Sequence, residues 1–405
     1  MYYPRHCAER LSQLARHFPA IVVTGARQAG KTTLLRAAFP DHHYVSLDLP
    51  TIAEQAERNP DLFLRQHPPP VLVDEVQYAP GLFRHLKAAI DAHRHETGRF
   101  ILTGSQHFTL MKGVSDSLAG RSGLLELENL ALDEIRAVTE IPIDARGLAA
   151  LMARGQFPEL WRVPELPARD FFAGYLATYL ERDVRQILRV GSLRDFERFI
   201  RILAARPAAM LNRSDVARDV GVAVKTIGEW VNVLATSGQI TLLEPWYANF
   251  GKRLVKTPKV YFRDTGLLCF LLNLDETTLL ASPMLGAIWE TFVFAEMRKL
   301  NEIGGRPVGL WYYRDLPGRE VDFVLESGGK LSFAECKWEE HPGTREARNL
   351  LRVNAELEAA GSPWKPGEHY LLGRPAAASA LAPGIAVAGV TDLPAILAGG
   401  SPLSA

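Results

Sequence analysis

An apolar run that passes directly into a glycine-framed loop constrains this chain more than any other feature. In AIVVTGARQAGKTTLLRAAF, residues Ile21 to Val23 precede Gly25-x-x-x-x-Gly30-Lys31-Thr32, and helix-forming residues follow. Strand, loop and helix in that order make a phosphate-binding loop. Gly25 and Gly30 allow a tight turn whose backbone N–H groups face phosphate oxygens, Lys31 brings positive charge to the β and γ phosphates, and the Thr32 hydroxyl is a Mg²⁺ ligand. The candidate nucleotide-binding residues are therefore Gly25, Ala26, Arg27, Gln28, Ala29, Gly30, Lys31, Thr32 and Thr33.

Such a loop needs a carboxylate partner further along the chain. PPPVLVDEVQYAP supplies one, because the strand-like Val71 to Asp74 ends in the adjacent acids Asp74 and Glu75. Asp74 is assigned to the metal, and Glu75 to polarising the water that attacks the γ-phosphate in line. The next buried-looking strand, RFILTGSQ, ends in small hydroxyl residues. Thr103 or Ser105 there could hydrogen-bond that water, and Ser105 is the choice made. In SLAGRSGLLELENL, Arg121 stands before another apolar strand. Its guanidinium could stabilise phosphoryl charge in a neighbouring subunit, which implies a homo-oligomer. A surface arginine at a helix end fits the same residues.

At 405 residues the chain is too long for one ordinary domain. Lys plus Arg and Asp plus Glu each number 46, which excludes a passive, strongly basic nucleic-acid coat and makes any such site local. Cys7, Cys269 and Cys336 lack metal-ligand spacing, and the chain reads as reduced and cytoplasmic, with no membrane span. No internal repeat is evident, and from about Pro375 the sequence turns rich in Ala, Gly and Pro.

LNRSDVARDVGVAVKTIGEWVNVLATSGQI has the proportions of a helix-turn-helix: a helix from about Ser214, a break at Gly221, and a second helix to about Thr236. Two strand-like pieces, ITLLEPW and KTPKVYF, flank YANFGKRLV as a wing would. Between Ile200 and Thr265 ten basic side chains face five acidic ones. Lys225 and Thr226 at the start of the second helix, with Lys252, Arg253 and Lys256 in the wing, are the candidate DNA contacts. Winged helices also dock proteins, and that alternative stays open here.

In EVDFVLESGGKLSFAECKW, two strands flank Gly328 and Gly329. A two-residue turn there places Asp322 opposite Glu335, with Lys337 on the same face. Two opposed carboxylates repel, and a divalent cation would relieve that repulsion. Cys336, between them, points to the other face and reads as a core thiol.

TGARQAGKTTLL, VLVDEVQ, LTGSQ and SLAGR, followed by GQFPEL, YLERDV, KTPKVYFRDTGL and REVDFVL…AECKW, together resemble a widespread prokaryotic family of AAA-type ATPases. The resemblance covers nearly the whole chain. It implies a P-loop core with parallel strand order 5-1-4-3-2 (residues 1–145), a helical lid (146–195) and a winged helix (196–265). Beyond these it implies an α/β domain similar to PD-(D/E)XK restriction-endonuclease-like nucleases such as Holliday-junction resolvases (266–375), then a C-terminal extension (376–405). It further implies ATP and Mg²⁺ as cofactors and DNA, branched or forked by preference, as partner. In that reading Asp322 and Glu335 hold Mg²⁺, Glu290 lends a third carboxylate, and Lys337 positions the attacking water. The alternative is a nucleotide-operated switch that binds a protein, with a silent nuclease-like domain.

Overall fold

The structure, a computed structural model, describes residues 2–104, 113–114, 116–185, 193–246, 256–301, 307–359 and 363–404, with backbone only at 182, 183 and 404. Two compact units emerge. The first comprises Met1–Leu130, Phe157–Arg162 and Thr236–Gly238, and the second Ala131–Gln156, Val163–Ala235 and Gln239–Ala405.

The first unit is built on a parallel sheet of β1 (Ala20–Thr24), β2 (His43–Ser46), β3 (Val71–Asp74), β4 (Phe100–Thr103) and β5 (Ser122–Glu126). The strands lie in the order β2-β3-β4-β1-β5, which from the other edge is the expected 5-1-4-3-2. β1, β3 and β4 are buried along their whole length, whereas the edge strands β2 and β5 expose part of theirs. That contrast follows from position, since a central parallel strand is covered on both faces and an edge strand is not. Alternate residues feed two cores. Val22, Val73 and Leu102 enter one, and Ile21, Leu72 and Ile101 the other.

In the second unit, helices Arg213–Val220 and Val224–Thr236 meet at Gly221, whose φ of 86° closes the first helix in the left-handed region. Val216, Ala217 and Val220 are buried together with Ile227, Trp230, Val231 and Leu234. Beside the pair lies a three-stranded antiparallel sheet, β6 (Ala209–Met210), β7 (Ile240–Leu243) and β8 (Lys259–Phe262), in the order β6-β8-β7.

The larger sheet of this unit contains β9 (Gly309–Arg314), β10 (Glu320–Ser327), β11 (Lys330–Cys336), β12 (Lys365–Pro366), β13 (His369–Leu372), β14 (Ser379–Ala382) and β15 (Ile385–Ala388). Its main path runs β14-β15-β13-β11-β10-β9, with β12 paired to β11. β10 and β11 form the expected hairpin. Gly328 and Gly329 have φ of 57° and 75°, the pair of left-handed residues that a type I′ turn requires. Phe323 pairs with Ala334 and Ser327 with Lys330, so the register set by that turn opposes Asp322 to Glu335 one step beyond the ladder. Helix Leu285–Asn301 is apolar around nearly its whole circumference and is correspondingly buried.

Among the described residues no helix is long and apolar enough to cross a membrane.

Candidate functional site: a phosphate loop and a carboxylate cluster

The loop after β1 turns on Gly25, with φ of 139°, and Gly30, with φ of 93°. A Cβ on Gly25 would stand 2.2 Å from the Leu127 carbonyl oxygen, so the close approach admits only glycine. Helix Lys31–Ala38 starts directly from Gly30 and directs its first N–H groups into the loop. The Lys31 ammonium is buried and donates to the carbonyls of Gly25 (3.0 Å) and Ala26 (2.9 Å). Arg5, which the sequence reading missed, donates to the carbonyls of Ala29 (3.0 Å), Glu128 (2.6 Å) and Asn129 (3.3 Å) and holds the loop from behind. Nothing near Arg5 in the sequence marks it. Its role comes from contacts 24 and more than a hundred residues away.

Thr32 Oγ1 donates to Asp74 Oδ2 at 2.7 Å, and the Tyr44 hydroxyl donates to the same oxygen at 3.0 Å. The Glu75 N–H donates to Asp74 Oδ1 at 3.0 Å. Burial lifts the Asp74 carboxyl above the usual range, against the hydrogen bond from Thr32. A hydroxyl and a carboxylate side by side at the mouth of a phosphate loop are the hard oxygen donors that Mg²⁺ takes, so these residues fit the ion. Glu75 is held at φ 53° and accepts a hydrogen bond from Gln77 Nε2. Of the four non-glycine residues with positive φ among those described, two, Gln28 and Glu75, belong to this site. Backbone strain of that kind costs about 1–3 kcal/mol per residue and concentrates at functional sites.

β4 ends at Thr103, fully buried, with no hydrogen-bond partner for its hydroxyl among the described residues. Ser105 lies outside the described residues. Arg121 makes a two-point ion pair with Asp91, at 2.6 and 3.1 Å, just ahead of β5. In its own chain it therefore sits at the end of the sheet opposite the phosphate loop.

In the second unit, Lys225 is exposed and Thr226 half-buried at the start of their helix, and Lys256 is exposed; Lys252 and Arg253 lie outside the described residues. Several of the basic side chains counted there are paired within the chain. Arg206 pairs with Asp219, Arg218 with Asp215 at 2.9 Å, and Arg201 with Glu197 at 3.0 Å. Lys259, counted with the wing, is not at the surface at all.

The Lys259 ammonium, 1% exposed, stands 3.0 Å from Glu290 Oε1, 2.5 Å from Glu320 Oε1 and 3.6 Å from Asp322 Oδ1. Burial opposes its charge, but Glu290, Asp322 and Glu320 outweigh that and hold it protonated well beyond an ordinary lysine. The Tyr261 hydroxyl donates to Glu290 Oε1, Arg314 pairs with Glu320, and the Cys336 N–H donates to Asp322 Oδ2 at 2.9 Å. Lys337 pairs with Glu335 at 3.0 Å. Burial, and after it the Asp322 charge, pushes both the Glu290 and the Glu335 carboxyls up. Cys336 is a buried thiol, as expected, raised by burial and then by the Asp322 carboxylate.

The hairpin thus assembles Asp322, Glu335 and Lys337 with Glu290, but the expectation of a Mg²⁺ site there needs correction. Among the described residues no three His, Cys, Asp or Glu side chains are grouped to hold a metal ion. The Lys259 ammonium stands within 3.6 Å of Glu290, Glu320 and Asp322. The residues do not fit the metal. Lys259, Glu320 and Tyr261 were missed because a lysine opening KVYF reads as a charged strand end, and only the tertiary fold buries it.

Comparison with known proteins agrees with the core. Residues 17–136 match an AAA domain, residues 145–278 a domain of unknown function (DUF8612), and residues 285–372 a second domain of unknown function (DUF4143). "Uncharacterized protein Rv2008c" of Mycobacterium tuberculosis is 31% identical over 374 residues, 90% of this chain and 80% of that protein. "Uncharacterized protein Mb2031c" of Mycobacterium bovis matches to the same extent. Among solved structures, the Walker-type ATPase PABY2304 of Pyrococcus abyssi is similar at 15% identity and a TM-score of 0.45, covering 67% of this chain and 96% of its own. The chain belongs to the family of these mycobacterial proteins and carries the AAA domain of a P-loop ATPase.

Proposed function

We propose that this ATPase hydrolyses ATP with Mg²⁺ and that its nucleotide state controls a DNA-binding C-terminal half, organised as helical lid, winged helix and nuclease-like domain. The observation that carries the hydrolytic part is the 2.7 Å hydrogen bond between Thr32 and Asp74, with Glu75 next in the chain. Mg²⁺, when bound, would supply charge neutralisation at the β and γ phosphates, and Thr32 and Asp74 are the residues that would hold it. The loop N–H groups from Gly25 to Thr33 bind the phosphates, and Lys31 offsets the charge that builds on the oxygens of the γ-phosphate. Glu75 takes a proton from the attacking water. The new O–P bond forms as the bond to the β-phosphate oxygen breaks, leaving ADP and phosphate. DNA contact rests on Lys225, Thr226 and Lys256, with Lys252 and Arg253 assigned from the sequence, and forked or branched DNA is the favoured partner.

ATP turnover measured with and without linear and forked duplex tests the whole reading. Lys31→Ala should lose ATP binding, and Glu75→Gln should bind ATP but turn it over about 100-fold more slowly or worse. Alanine at Lys225 and Lys256 should flatten the dependence of DNA affinity on salt, which scales with the phosphates neutralised. ATP turnover with no response to either DNA would sink the DNA part. The pairing of Arg206, Arg218 and Arg201 within the chain then favours the second reading, a nucleotide-operated switch that docks a protein through the helix pair.

A further inference from the structure

The C-terminal cluster contains four acids, and six of their eight carboxylate oxygens have a partner inside the protein. Lys259 faces Glu290 Oε1, Glu320 Oε1 and Asp322 Oδ1. Arg314 takes Glu320 Oε2, the Cys336 N–H takes Asp322 Oδ2, and Lys337 takes Glu335 Oε1. Glu335 Oε2 is the one buried oxygen of Glu335 without a partner among the described residues. Mg²⁺ demands near-octahedral oxygen ligands and sheds its water reluctantly, so carboxylates already committed to a buried ammonium and to neighbouring donors do not make it a site.

The lysine is also fixed in place. It opens β8, which pairs with β7 from Lys259 opposite Leu243 to Phe262 opposite Ile240. The Tyr312 hydroxyl of β9 donates to the Thr257 carbonyl two residues before it, and the Lys259 ammonium lies 5.6 Å from the centre of the Tyr312 ring. The Trp246 N–H donates to the Tyr312 carbonyl at 2.7 Å and the Tyr312 N–H to the Glu244 carbonyl at 3.2 Å, which stitches the segment after β7 to β9. Withdrawing the Lys259 ammonium would leave several carboxylates buried beside one another, a costly arrangement for unpaired charges.

We propose that Lys259 is the resident cation of the carboxylate cluster formed by Glu290, Glu320, Asp322 and Glu335. The cluster then works as an ionic lock between the β6-β8-β7 sheet and the hairpin β10-β11, and not as a divalent-metal site for phosphodiester cleavage. The helix pair and the C-terminal sheet act as one body, and this half of the chain recognises its partner without cutting it. The inference is independent of the ATPase assignment, because no residue of the phosphate loop enters it.

Mn²⁺ binding, read by electron paramagnetic resonance on the full chain without nucleotide and with Asp74→Asn to remove the first unit's cation ligand, tests it. The chain with native Lys259 should bind no Mn²⁺ that depends on Asp322. Lys259→Met should gain one Mn²⁺ per chain, lose it when Asp322→Asn is added, and show a melting midpoint that Mn²⁺ raises. An Mn²⁺ ion bound with Lys259 in place and released by Asp322→Asn would overturn the proposal. So would plasmid nicking that the same substitution abolishes, or a folded Lys259→Met chain with no gain of Mn²⁺. If Lys259→Met does not fold, the comparison of native Asp322 with Asp322→Asn decides the matter alone.

Discussion

Thr103 presents a buried hydroxyl at the end of β4 with no hydrogen-bond partner among the described residues, beside β1 on one side and β3 on the other. An unsatisfied buried hydroxyl costs about 1–3 kcal/mol, which makes Thr103 a testable position for a role in turnover. Thr103→Val removes the polar atom while keeping the shape. It should stabilise the nucleotide-free protein by about 1 kcal/mol in urea unfolding, a gain taken from the unsatisfied-group cost. ATP should still bind, and turnover should fall. Loss of stability would mean that the hydroxyl has a partner in the folded state, and unchanged turnover would remove Thr103 from the hydrolytic machinery. The RFILTGSQ pattern pointed to this strand end and led to Ser105, which lies outside the described residues, while the burial of Thr103 is a tertiary property that the pattern does not carry.

At the scale of elements, the hairpin β10-β11 was legible because a turn is a local object. Two consecutive glycines flanked by alternating residues specify the type I′ geometry, and the turn specifies the register that opposes Asp322 to Glu335. The surroundings of that pairing were not legible, since the ammonium beside Asp322 is that of Lys259, sixty-odd residues upstream on a different sheet. The same distinction explains the helix pair. Its length and its break at Gly221 are written in apolar spacing and a glycine, while the pairing of Arg206 with Asp219, which decides whether that arginine is available to a partner, is set by the fold. The turn itself gives a prediction. A Cβ on Gly328 or Gly329 would meet nothing within 4 Å, so any cost of substitution is backbone strain alone. Gly329→Val should therefore destabilise the chain by about 1–2 kcal/mol, the cost of forcing an L-residue into the left-handed region. Gly328→Asn should be close to neutral, because asparagine tolerates that region. Equal unfolding midpoints for the two variants would mean that the turn does not set the register.

For the whole molecule, the ATPase core was readable at a distance because its residues recur at short, fixed offsets from strand ends, whereas the strand order came only as an implication of the family resemblance. Arg121 tests whether the active assembly extends beyond one chain. β1 and β5 run parallel with Ala20 beside Ser122, so Arg121 stands at the end where both strands begin and the phosphate loop at the end where β1 stops. A five-residue strand at 3.3 Å per residue separates the two ends by about 16 Å, beyond the reach of an arginine side chain. If Arg121 acts on phosphate, it does so on a neighbouring copy, after exchanging Asp91 for the γ-phosphate. Arg121→Ala should then bind ATP normally and hydrolyse it slowly. Mixing it with the Glu75→Gln chain should restore part of the turnover, because some interfaces combine an intact Glu75 in one copy with an intact Arg121 from the next. Sedimentation of the ATP-bound Glu75→Gln protein should show an oligomer. Full turnover by Arg121→Ala, or a protein that stays monomeric with ATP while hydrolysing it at the full rate, would return Arg121 to an ordinary surface partner of Asp91.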